Sequence, residues 1–497
     1  MYLGLDLGTS ELKALLLDDS HRVVASAGEA LSVQRPQPLW SEQDPDDWWV
    51  ALERAMARLR DANGVALAAV RSIGLSGQMH GAVVLDAGER VLRPAILWND
   101  GRSAAQCAAL EAREPRLRAI TGNLAMPGFT APKLLWLREH EPALFGRIAR
   151  VLLPKDWLRL RLCGDAVSEM SDASGTLWLD VGARGWSDAL LAASGLSPAQ
   201  MPRLVEGNAI SGTLRRELAE RWGVRPGIAI AGGGGDNAAS AVGIGAVRAG
   251  RGFVSLGTSG VVFLASDRFQ PNPEAAVHAF CHALPARWHT MSVMLSAASA
   301  LRWARTLLNL TSEAALLERV GEMSPGDRAG APIFLPYLSG ERTPHNDAAA
   351  QGVLFGLAHG HDAAAIGYAV MEGVGFGLAD GWRALGAAPG EVDSLALVGG
   401  GARSAIWAQT LASTLGVALD VHVGGHGSAA LGAARLAWLA DGGDEADVCR
   451  SGEVERSFVP DAAEAALLAP RLACFRALYP ALRGHFSRAP EHADPVV

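Results

Sequence analysis

Short apolar runs separated by small residues open the chain. Residues 2–7 are apolar around Asp6, residues 8–10 are Gly-Thr-Ser, and residues 12–17 are largely apolar again. Two such runs joined by turn residues are typical of a β-hairpin. Apolar residues at helical spacing follow over 46–60, and residues 70–75 predict a strand that ends in the loop 77–81. Residues 228–231 predict a strand that runs into four glycines.

The second half of the chain opens with the same pattern. Residues 253–256 and 261–264 predict two strands around a second Gly-Thr-Ser turn, so that the tetrapeptide Leu-Gly-Thr-Ser occurs at 7–10 and at 256–259. The matching context favours duplication of one hairpin over chance. A strand at 394–398 and helices at 404–415 and 428–440 complete a mixed α/β pattern. We expect two domains, residues 1–245 and 246–497.

Composition limits the classes of function. The 497 residues include 49% hydrophobic and 19% charged positions, which is typical of a globular protein. A net charge of −8 argues against nucleic acid as a partner. The sequence has no uninterrupted apolar run of membrane-spanning length and no signal-peptide pattern at its start, and its five cysteines are scattered. A reducing cytoplasm fits this pattern.

The two Gly-Thr-Ser turns are candidate phosphate cradles. The chain lacks a Walker A motif, since none of its lysines follows a glycine. Small residues, hydroxyls and exposed amides of Thr9, Ser10, Gly257 and Thr258 could hold phosphate instead. Asp6 precedes the first turn, where a carboxylate can orient Mg²⁺ through water. Ordinary hairpin chemistry explains one such turn equally well. Two matched turns favour phosphate binding.

Lysine is rare in this chain, and each lysine therefore merits attention. Only Lys13, Lys133 and Lys155 occur, while the other basic residues are arginine. Lys13 follows the first turn closely enough to approach a phosphate. Chance placement is the alternative.

Asp236 is the candidate base. It follows four glycines at a predicted strand-to-helix junction, where a ligand can approach the backbone and a helix start stabilises negative charge. An ordinary N-cap is the rival interpretation. In the loop 77–81, Met79 could form an apolar wall for a polyol and His80 could give hydrogen bonds, although such residues taken alone are more often structural.

These segments together resemble the FGGY carbohydrate kinases. The resemblance runs from the first residues to about Leu436 and includes all three lysines. It is carried by these motifs: LDLGTS (5–10), PLWSEQD (38–44), GQMHG (77–81), RPAILWNDGR (93–102), PGFTAPK (127–133), LPKD (153–156), GGGDN (233–237), SLGTSG (255–260), LPYLSGERTPH (335–345) and GGGARS (399–404).

The resemblance implies a fold and a reaction. The fold would be two actin-like, ribonuclease-H-like domains around a deep catalytic cleft, with sugar mainly on the N-terminal domain and ATP with Mg²⁺ mainly on the C-terminal one. The implied substrate is D-xylulose, with ribulose or another ketopentose or polyol as the alternative. Glycerol is disfavoured, since glycerol kinases carry Arg-Glu in place of Met79 and His80. Homodimers also occur in the family.

The resemblance also assigns roles to single residues. Asp236 matches the proton acceptor and could also approach the metal, and Asp6 matches the carboxylate that supports metal and activity. The sugar contacts would be Met79, His80, Asp236 and Asn237. The nucleotide contacts would be Thr9, Ser10, Lys13, Gly257, Thr258, Trp303, Gly400, Gly401 and Ala402.

Overall fold

Two seven-stranded β-sheets with the same central strand order organise the polypeptide. The structure, a computed structural model, describes residues 1–387, 390–423 and 428–486. Its strands are β1 Tyr2–Leu7, β2 Glu11–Leu17, β3 Val23–Ala30, β4 Glu42–Gln43, β5 Ser72–Gly77, β6 Val83–Leu85, β7 Ala95–Ile96, β8 Arg150–Leu152, β9 Val167–Glu169, β10 Leu179–Asp180, β11 Gly185–Trp186, β12 Arg203–Val205, β13 Ile210–Thr213, β14 Ala229–Ala231, β15 Gly234–Gly235, β16 Gly252–Leu256, β17 Gly260–Ser266, β18 His278–Cys281, β19 Trp288–Met294, β20 Ile333–Leu335, β21 Val353–Phe355, β22 Ser394–Val398, β23 Ala418–His422 and β24 Val454–Phe458.

Helices cover both sheets. They are α1 Pro45–Ala68, α2 Ala104–Arg113, α3 Leu117–Thr121, α4 Thr130–His140, α5 Pro142–Phe145, α6 Pro154–Cys163, α7 Met170–Ser174, α8 Asp188–Ser194, α9 Arg216–Trp222, α10 Asp236–Ile244, α11 Ala298–Leu307, α12 Glu313–Gly321, α13 Pro325–Gly330, α14 Ala363–Leu385, α15 Ala405–Leu415, α16 Ala429–Ala440, α17 Glu445–Val448 and α18 Ala462–Leu482.

The predicted duplication is visible in the strand order. The first sheet runs β13-β14-β5-β1-β2-β3, with β15 also paired to β5, and the second runs β18-β19-β17-β16-β22-β23-β24. In each sheet the hairpin and its third strand are antiparallel, and the next two strands lie parallel to the first strand. Both predicted hairpins, the strand at 394–398 and the α/β class are confirmed.

Helix α16 belongs in sequence to the second half but packs on the sheet of the first. A Cβ added to Gly4 would lie 2.0 Å from the Ala430 carbonyl oxygen, and one on Gly74 would lie 1.9 Å from that of Ala433. Backbone-to-backbone packing this close requires glycine. Gly432 in α16 meets Ala239 of α10 in the same way. The two halves therefore meet along α10 and α16, behind the hairpins.

Two predicted helices differ from the sequence expectation at their ends. The helix expected over 46–60 extends as α1 to Ala68, with non-helical backbone at Asn63. Its apolar side is buried, including Trp48, Leu52 and Met56. The helix expected from 404 begins at Ala405, because Ser404 caps it by accepting the Trp407 N–H.

In the part of the chain that the structure describes, one helical stretch, Ala462–His485, is long and apolar enough to cross a membrane by length and composition alone. It contains two internal prolines, and its Arg471 forms a buried ion pair with Glu372 of α14. Its residues Leu468 and Phe475 pack against Phe376 and the β20 strand. These contacts give the helix a place in the fold of the second half.

Candidate active site

The first hairpin places a charged pair on the face of its sheet that meets α16. Asp6 lies opposite Lys13 on β2 and opposite Ser76 on β5. Residues directly opposite on neighbouring strands project to the same side of a sheet. The end of β1 therefore carries a carboxylate, an ammonium group and a hydroxyl side by side, next to the first Gly-Thr-Ser turn.

Asp236 reaches the same place from another part of the chain. Its preceding residues Gly234 and Gly235 pair with Ser76 and Gly77 of β5. Asp236 is the first residue of α10, and Gly235 occupies the N-cap position. Asp236 Oδ1 accepts from the backbone N–H of Asn237 at 2.7 Å and from its side-chain amide at 2.9 Å. Asp236 thus lies one residue after the N-cap position, and its carboxylate accepts an N–H of the first helical turn.

The two carboxyls are electrostatically coupled. Burial, and next the negative charge of Asp236, raise the pKa of Asp6 to about 7, against the opposing effects of Ser76 and Lys13. Burial raises the pKa of Asp236 to about 6, although the Asn237 N–H groups favour its ionised form. Like charges in a poorly solvated site do not ionise together easily. Above neutral pH the site holds negative charge that a cation would stabilise.

The residues fit a magnesium ion that arrives with nucleotide. The Oδ1 atom of Asp6 is buried and has no hydrogen-bond partner. Within the described residues, no group of three or more His, Cys, Asp or Glu side chains is arranged to hold a metal alone. Mg²⁺ in such sites is held by one or two carboxylates, water and substrate phosphates. Asp6, with Asp236 near it, is the donor set that the chain supplies.

The loop after β5 presents Met79 and His80 beside Asp236. A Cβ on Gly235 would lie 2.9 Å from the Met79 sulfur, so this side chain contacts the residue before Asp236. His80 Nδ1 is 2.7 Å from the Gly175 carbonyl oxygen, and burial lowers the pKa of His80 to about 3. A carbonyl only accepts, so Nδ1 carries the proton and Nε2 keeps its lone pair. His80 can thus accept a hydrogen bond from a sugar hydroxyl.

Lys133 fixes the backbone of that loop. His80 has a positive φ of 68°. Its carbonyl oxygen accepts from Lys133 Nζ at 2.9 Å and from Thr130 Oγ1 at 3.0 Å, while Nζ also donates to the Gly128 carbonyl at 2.8 Å. Burial lowers the pKa of Lys133 to about 7. These contacts hold a strained backbone conformation, which is common at functional sites.

Lys155 supports the segment before Asp236. Its Nζ lies 2.9 Å from Asp156, 2.8 Å from Asp172 and 3.3 Å from Glu169, and all four side chains are buried. Glu169 accepts from the Ser171 hydroxyl at 2.8 Å, and that hydroxyl accepts from the Gly235 N–H at 3.0 Å. A continuous network therefore runs from Lys155 to the residue that precedes Asp236.

The second hairpin brings together the candidate nucleotide contacts. The carbonyl of Gly257 accepts from Ala298 N–H at 2.8 Å and that of Thr258 from Ala297 N–H at 3.0 Å, so α11 starts at this turn. Trp303, farther along α11, stacks on Phe334 with ring centroids 5.5 Å apart. A Cβ on Gly401 would lie 2.4 Å from Leu256, which places the 399–402 turn against the strand end.

The predicted site residues therefore fall into two groups. One group lies near Asp6 at the first sheet and consists of Met79, His80, Asp236 and Asn237. The other lies around the end of β16 and consists of Gly257, Thr258, Gly400, Gly401 and Ala402, with Trp303 farther along α11. Ser10 and Thr258 are exposed, whereas the Thr9 hydroxyl donates to Gln78 Oε1 at 3.1 Å and accepts from Trp98 Nε1 at 2.9 Å. Thr9 thus has protein partners that the sequence did not indicate.

The sequence analysis gave no role to several supporting residues. Thr130 and Asp156 lie within motifs of the family resemblance, whereas Glu169, Asp172 and Ser171 lie outside them. The rarity of lysine was the available signal, because all three lysines support this site or its nearest backbone. The partners outside the motifs are distant from Lys155 in sequence, so no local pattern could name them.

Comparisons with known proteins identify the family of this chain. Residues 1–243 match the N-terminal domain model of the FGGY family of carbohydrate kinases, and residues 252–440 match its C-terminal domain model. The chain is 53% identical to the xylulose kinase of Escherichia coli K12, over 96% of this chain and 98% of that protein. It is 51% identical to the xylulose kinase of Klebsiella pneumoniae, over 97% and 99% of the two chains.

A solved structure is similar over nearly the whole chain. The crystal structure of a "xyloylose kinase" from Brucella ovis has a TM-score of 0.94 and 50% identity, covering 97% of this chain and 99% of that one. The two-domain architecture expected from the sequence is confirmed. With both family domains present in order and relatives of this identity over the full length, the chain belongs to the FGGY family of carbohydrate kinases.

Proposed function

We propose that this chain is an ATP-dependent xylulose kinase that converts D-xylulose to D-xylulose 5-phosphate, as in xylose catabolism. The observation that carries the proposal is the meeting of Asp236, Asn237 and the Met79–His80 loop beside Asp6. The names of the Escherichia coli and Klebsiella relatives support this choice of sugar. The first domain, residues 1–245, supplies the sugar site, and residues 246–497 supply the ATP site.

Asp236 is the proton acceptor in this mechanism. A pKa of about 6 is far below that of an alcohol, so Asp236 does not deprotonate the sugar before transfer. In a loose phosphoryl-transfer transition state the proton can leave late, as the new phosphorus–oxygen bond forms. Asp236 must then be ionised and placed within hydrogen-bond reach of the accepting hydroxyl. Asn237 holds the carboxylate oriented and ionised at neutral pH.

Asp6 supports Mg-ATP. The ion neutralises charge on the phosphates when it is bound. Asp6 would hold its water ligands with the free Oδ1, and Asp236 lies near enough to influence the same region. In this assignment the Gly-Thr-Ser turns and Lys13 approach the phosphates, and Trp303 and residues 400–402 contact the adenine. Closure of the two domains around the ligands would exclude water, which otherwise competes as phosphoryl acceptor.

The remaining expectations follow from the same assignment. The partners are a small sugar and ATP, without nucleic acid or membrane, and the cytoplasm is the compartment where both substrates occur. Homodimer formation is carried over from the family resemblance.

A coupled assay of ADP release tests the substrate. D-xylulose, D-ribulose, L-xylulose and glycerol are compared at equal concentrations with saturating Mg-ATP, and the phosphorylated position is identified by NMR. We expect D-xylulose to have the highest kcat/KM and to carry phosphate at O5. Equal or better turnover of another ketose would remove the xylulose assignment and leave a related ketose kinase.

A different class of protein would give a different result. A nucleotide-driven conformational protein on this type of fold would hydrolyse ATP without sugar and release no sugar phosphate. The sugar dependence of ADP release therefore separates the two classes in the same experiment.

A further inference from the structure

Arg342 lies in the second half of the chain, in the segment between β20 and β21. The next residue, Thr343, donates its backbone N–H to the Val293 carbonyl at 3.1 Å, and its hydroxyl accepts from the Val293 N–H at 3.1 Å. Val293 pairs with Val261, immediately after the second Gly-Thr-Ser turn. Arg342 is thus anchored to the hairpin that carries the nucleotide site.

A neutral histidine orients the Arg342 guanidinium. Arg342 Nη1 is 3.3 Å from His278 Nε2, and His278 Nδ1 is 3.4 Å from Asn123 Oδ1. The Asn123 amide nitrogen donates to the Thr121 and Ala279 carbonyls, which leaves Oδ1 as the acceptor. His278 therefore donates through Nδ1 and accepts through Nε2. Burial, and next the charge of Arg342, lower the pKa of His278 well below its ordinary value.

This guanidinium lacks a carboxylate partner. Among the described residues Arg342 forms no ion pair, and its one side-chain hydrogen bond is the contact with His278. The neighbouring Glu341 uses Oε1 to accept two backbone N–H groups, those of Leu295 and Arg342. The buried Arg471, by contrast, forms two hydrogen bonds with Glu372. The charge of Glu341 stabilises the Arg342 guanidinium from the neighbouring position, but the remaining side-chain N–H donors of Arg342 have no hydrogen-bond partner among the described protein groups. Such donors are available to a ligand.

The aromatic residues around His278 connect Arg342 to the 77–81 loop, which carries His80. The Phe129 ring centroid is 4.7 Å from that of His80 and 5.5 Å from that of His278. Arg342 contacts His278, and Phe129 lies between His278 and His80. These contacts place Arg342 toward the His80 end of the sugar site.

We propose that Arg342 binds the carbonyl oxygen of the ketose and thereby selects ketoses over the corresponding polyols. This inference rests on the proposed function, in which O5 lies at Asp236, so that the C2 carbonyl lies toward the opposite end of the sugar. A carbonyl oxygen only accepts hydrogen bonds, and a guanidinium only donates them. A polyol carries a hydroxyl at this point. Its oxygen can also accept from Arg342, but its hydrogen then needs a separate acceptor, which the guanidinium does not provide.

The size of the expected discrimination follows from hydrogen bonding to a charged group. Loss of such a contact typically costs roughly 10- to 10²-fold in selectivity. The contact comes from the second half of the chain, whereas Met79 and His80 come from the first. Sugar binding to Arg342 would therefore also favour approach of the two halves.

Arg342→Met and Arg342→Lys test the inference against a matched pair of sugars. D-xylulose and its reduced form xylitol are compared by kcat/KM, and by the inhibition constant of xylitol against D-xylulose. In Arg342→Met we expect kcat/KM for D-xylulose to fall roughly 10- to 10²-fold, mainly through KM, while xylitol binding changes less than about threefold. Arg342→Lys should restore part of the preference, since it keeps the charge but loses the planar donors.

Controls separate this inference from stability and from the proposed function. Arg268→Met removes an exposed arginine that follows β17 and should leave the kcat/KM for D-xylulose and the inhibition constant of xylitol unchanged. Thermal unfolding and the KM for ATP report on folding and nucleotide binding in each variant. Equal losses for D-xylulose and xylitol, or an unchanged ratio, would overturn the role of Arg342. Absence of D-xylulose turnover in the wild-type chain would instead reject the proposed function.

Discussion

The two Gly-Thr-Ser hairpins share a sequence and a strand order but differ in the side chains beside the turn. In the first hairpin Asp6 is flanked by Lys13 and Ser76 across the neighbouring strands. At the corresponding position of the second hairpin, Ser255 is flanked by Val261 and Val398. The second turn is also one residue shorter, since Leu256 pairs with Gly260 whereas Leu7 pairs with Leu12.

This difference indicates that the two copies of the hairpin have different roles. The glycine, threonine and serine of each turn can hold phosphate through small side chains and amides. At the position beside the turn, however, only the first copy carries a carboxylate among the described residues, and there Asp236 joins Asp6 from α10. We infer that the first copy carries the transfer chemistry and that the second copy holds nucleotide. Four predictions test this comparison, in decreasing order of effect.

Asp236→Asn should have the largest effect. It keeps the shape of the side chain but removes the proton acceptor, so kcat should fall by at least about 10²-fold. Nucleotide binding, measured by calorimetry with ADP and Mg²⁺, should survive because its contacts lie on the second hairpin. Near-normal turnover would reject Asp236 as the base. Asn237→Ala serves as a comparison variant, because it changes the neighbouring residue and keeps the Asp236 carboxylate.

Asp6→Ser makes the first hairpin resemble the second at this position. We expect kcat to fall by about 10- to 10²-fold and the Mg²⁺ concentration for half-maximal activity to rise, because Asp6 acts through the metal. Titration of activity with Mg²⁺ at fixed ATP measures both effects. Asp6→Asn keeps the shape of the side chain and removes its charge. It should show the same changes in kcat and Mg²⁺ requirement as Asp6→Ser. An unchanged Mg²⁺ requirement in both variants would contradict the assigned role.

Ser255→Asp makes the reciprocal change in the second hairpin. A carboxylate near the phosphates of the nucleotide should raise the KM for ATP by about tenfold through like-charge repulsion. The KM for the sugar should stay within about twofold, since the sugar residues lie on the other sheet. Ser255→Asn, neutral and similar in size, should leave the KM for ATP nearly unchanged. Equal effects of Asp and Asn would point to crowding instead of charge.

The pH dependence should reveal the coupled carboxyls. Activity should rise with pH through about 6, where Asp236 ionises, and reach its plateau above about 7, where Asp6 ionises. The free energy of unfolding should change in the opposite direction. A carboxyl whose pKa is raised by folding stabilises the folded state fully at pH values below its pKa in the unfolded chain. That contribution is lost as the pH rises through its pKa in the folded protein.

Asp6→Asn separates the two steps. The variant should lose the higher step, near 7, from the pH profile measured at a fixed Mg²⁺ concentration, and keep the lower one. The thermal unfolding temperature should also decrease less between pH 5 and pH 8 in this variant than in the wild type. An identical pH profile and identical unfolding curves would show that Asp6 does not titrate in this range.

Much of the site could be predicted because its segments carry local signals. The repeated tetrapeptide predicted both hairpins, and four glycines marked the approach to Asp236. The role of the lysines could not be predicted. Lys133 acts by donating to a carbonyl 53 positions away, and Lys155 acts through Glu169 and Ser171 on Gly235. Such contacts leave no periodicity or spacing in the sequence.

The strands, the two turns, the α/β class and the residues that resemble a carbohydrate kinase could be predicted from the sequence, because they depend on local residue types and their order. Three relations arise only in the folded chain: Asp6 and Asp236 share one region, Lys133 holds the His80 loop, and His278 and Phe129 link Arg342 to that loop. Burial and proximity between residues far apart in sequence set these relations, and they also set the pKa values on which the chemistry depends.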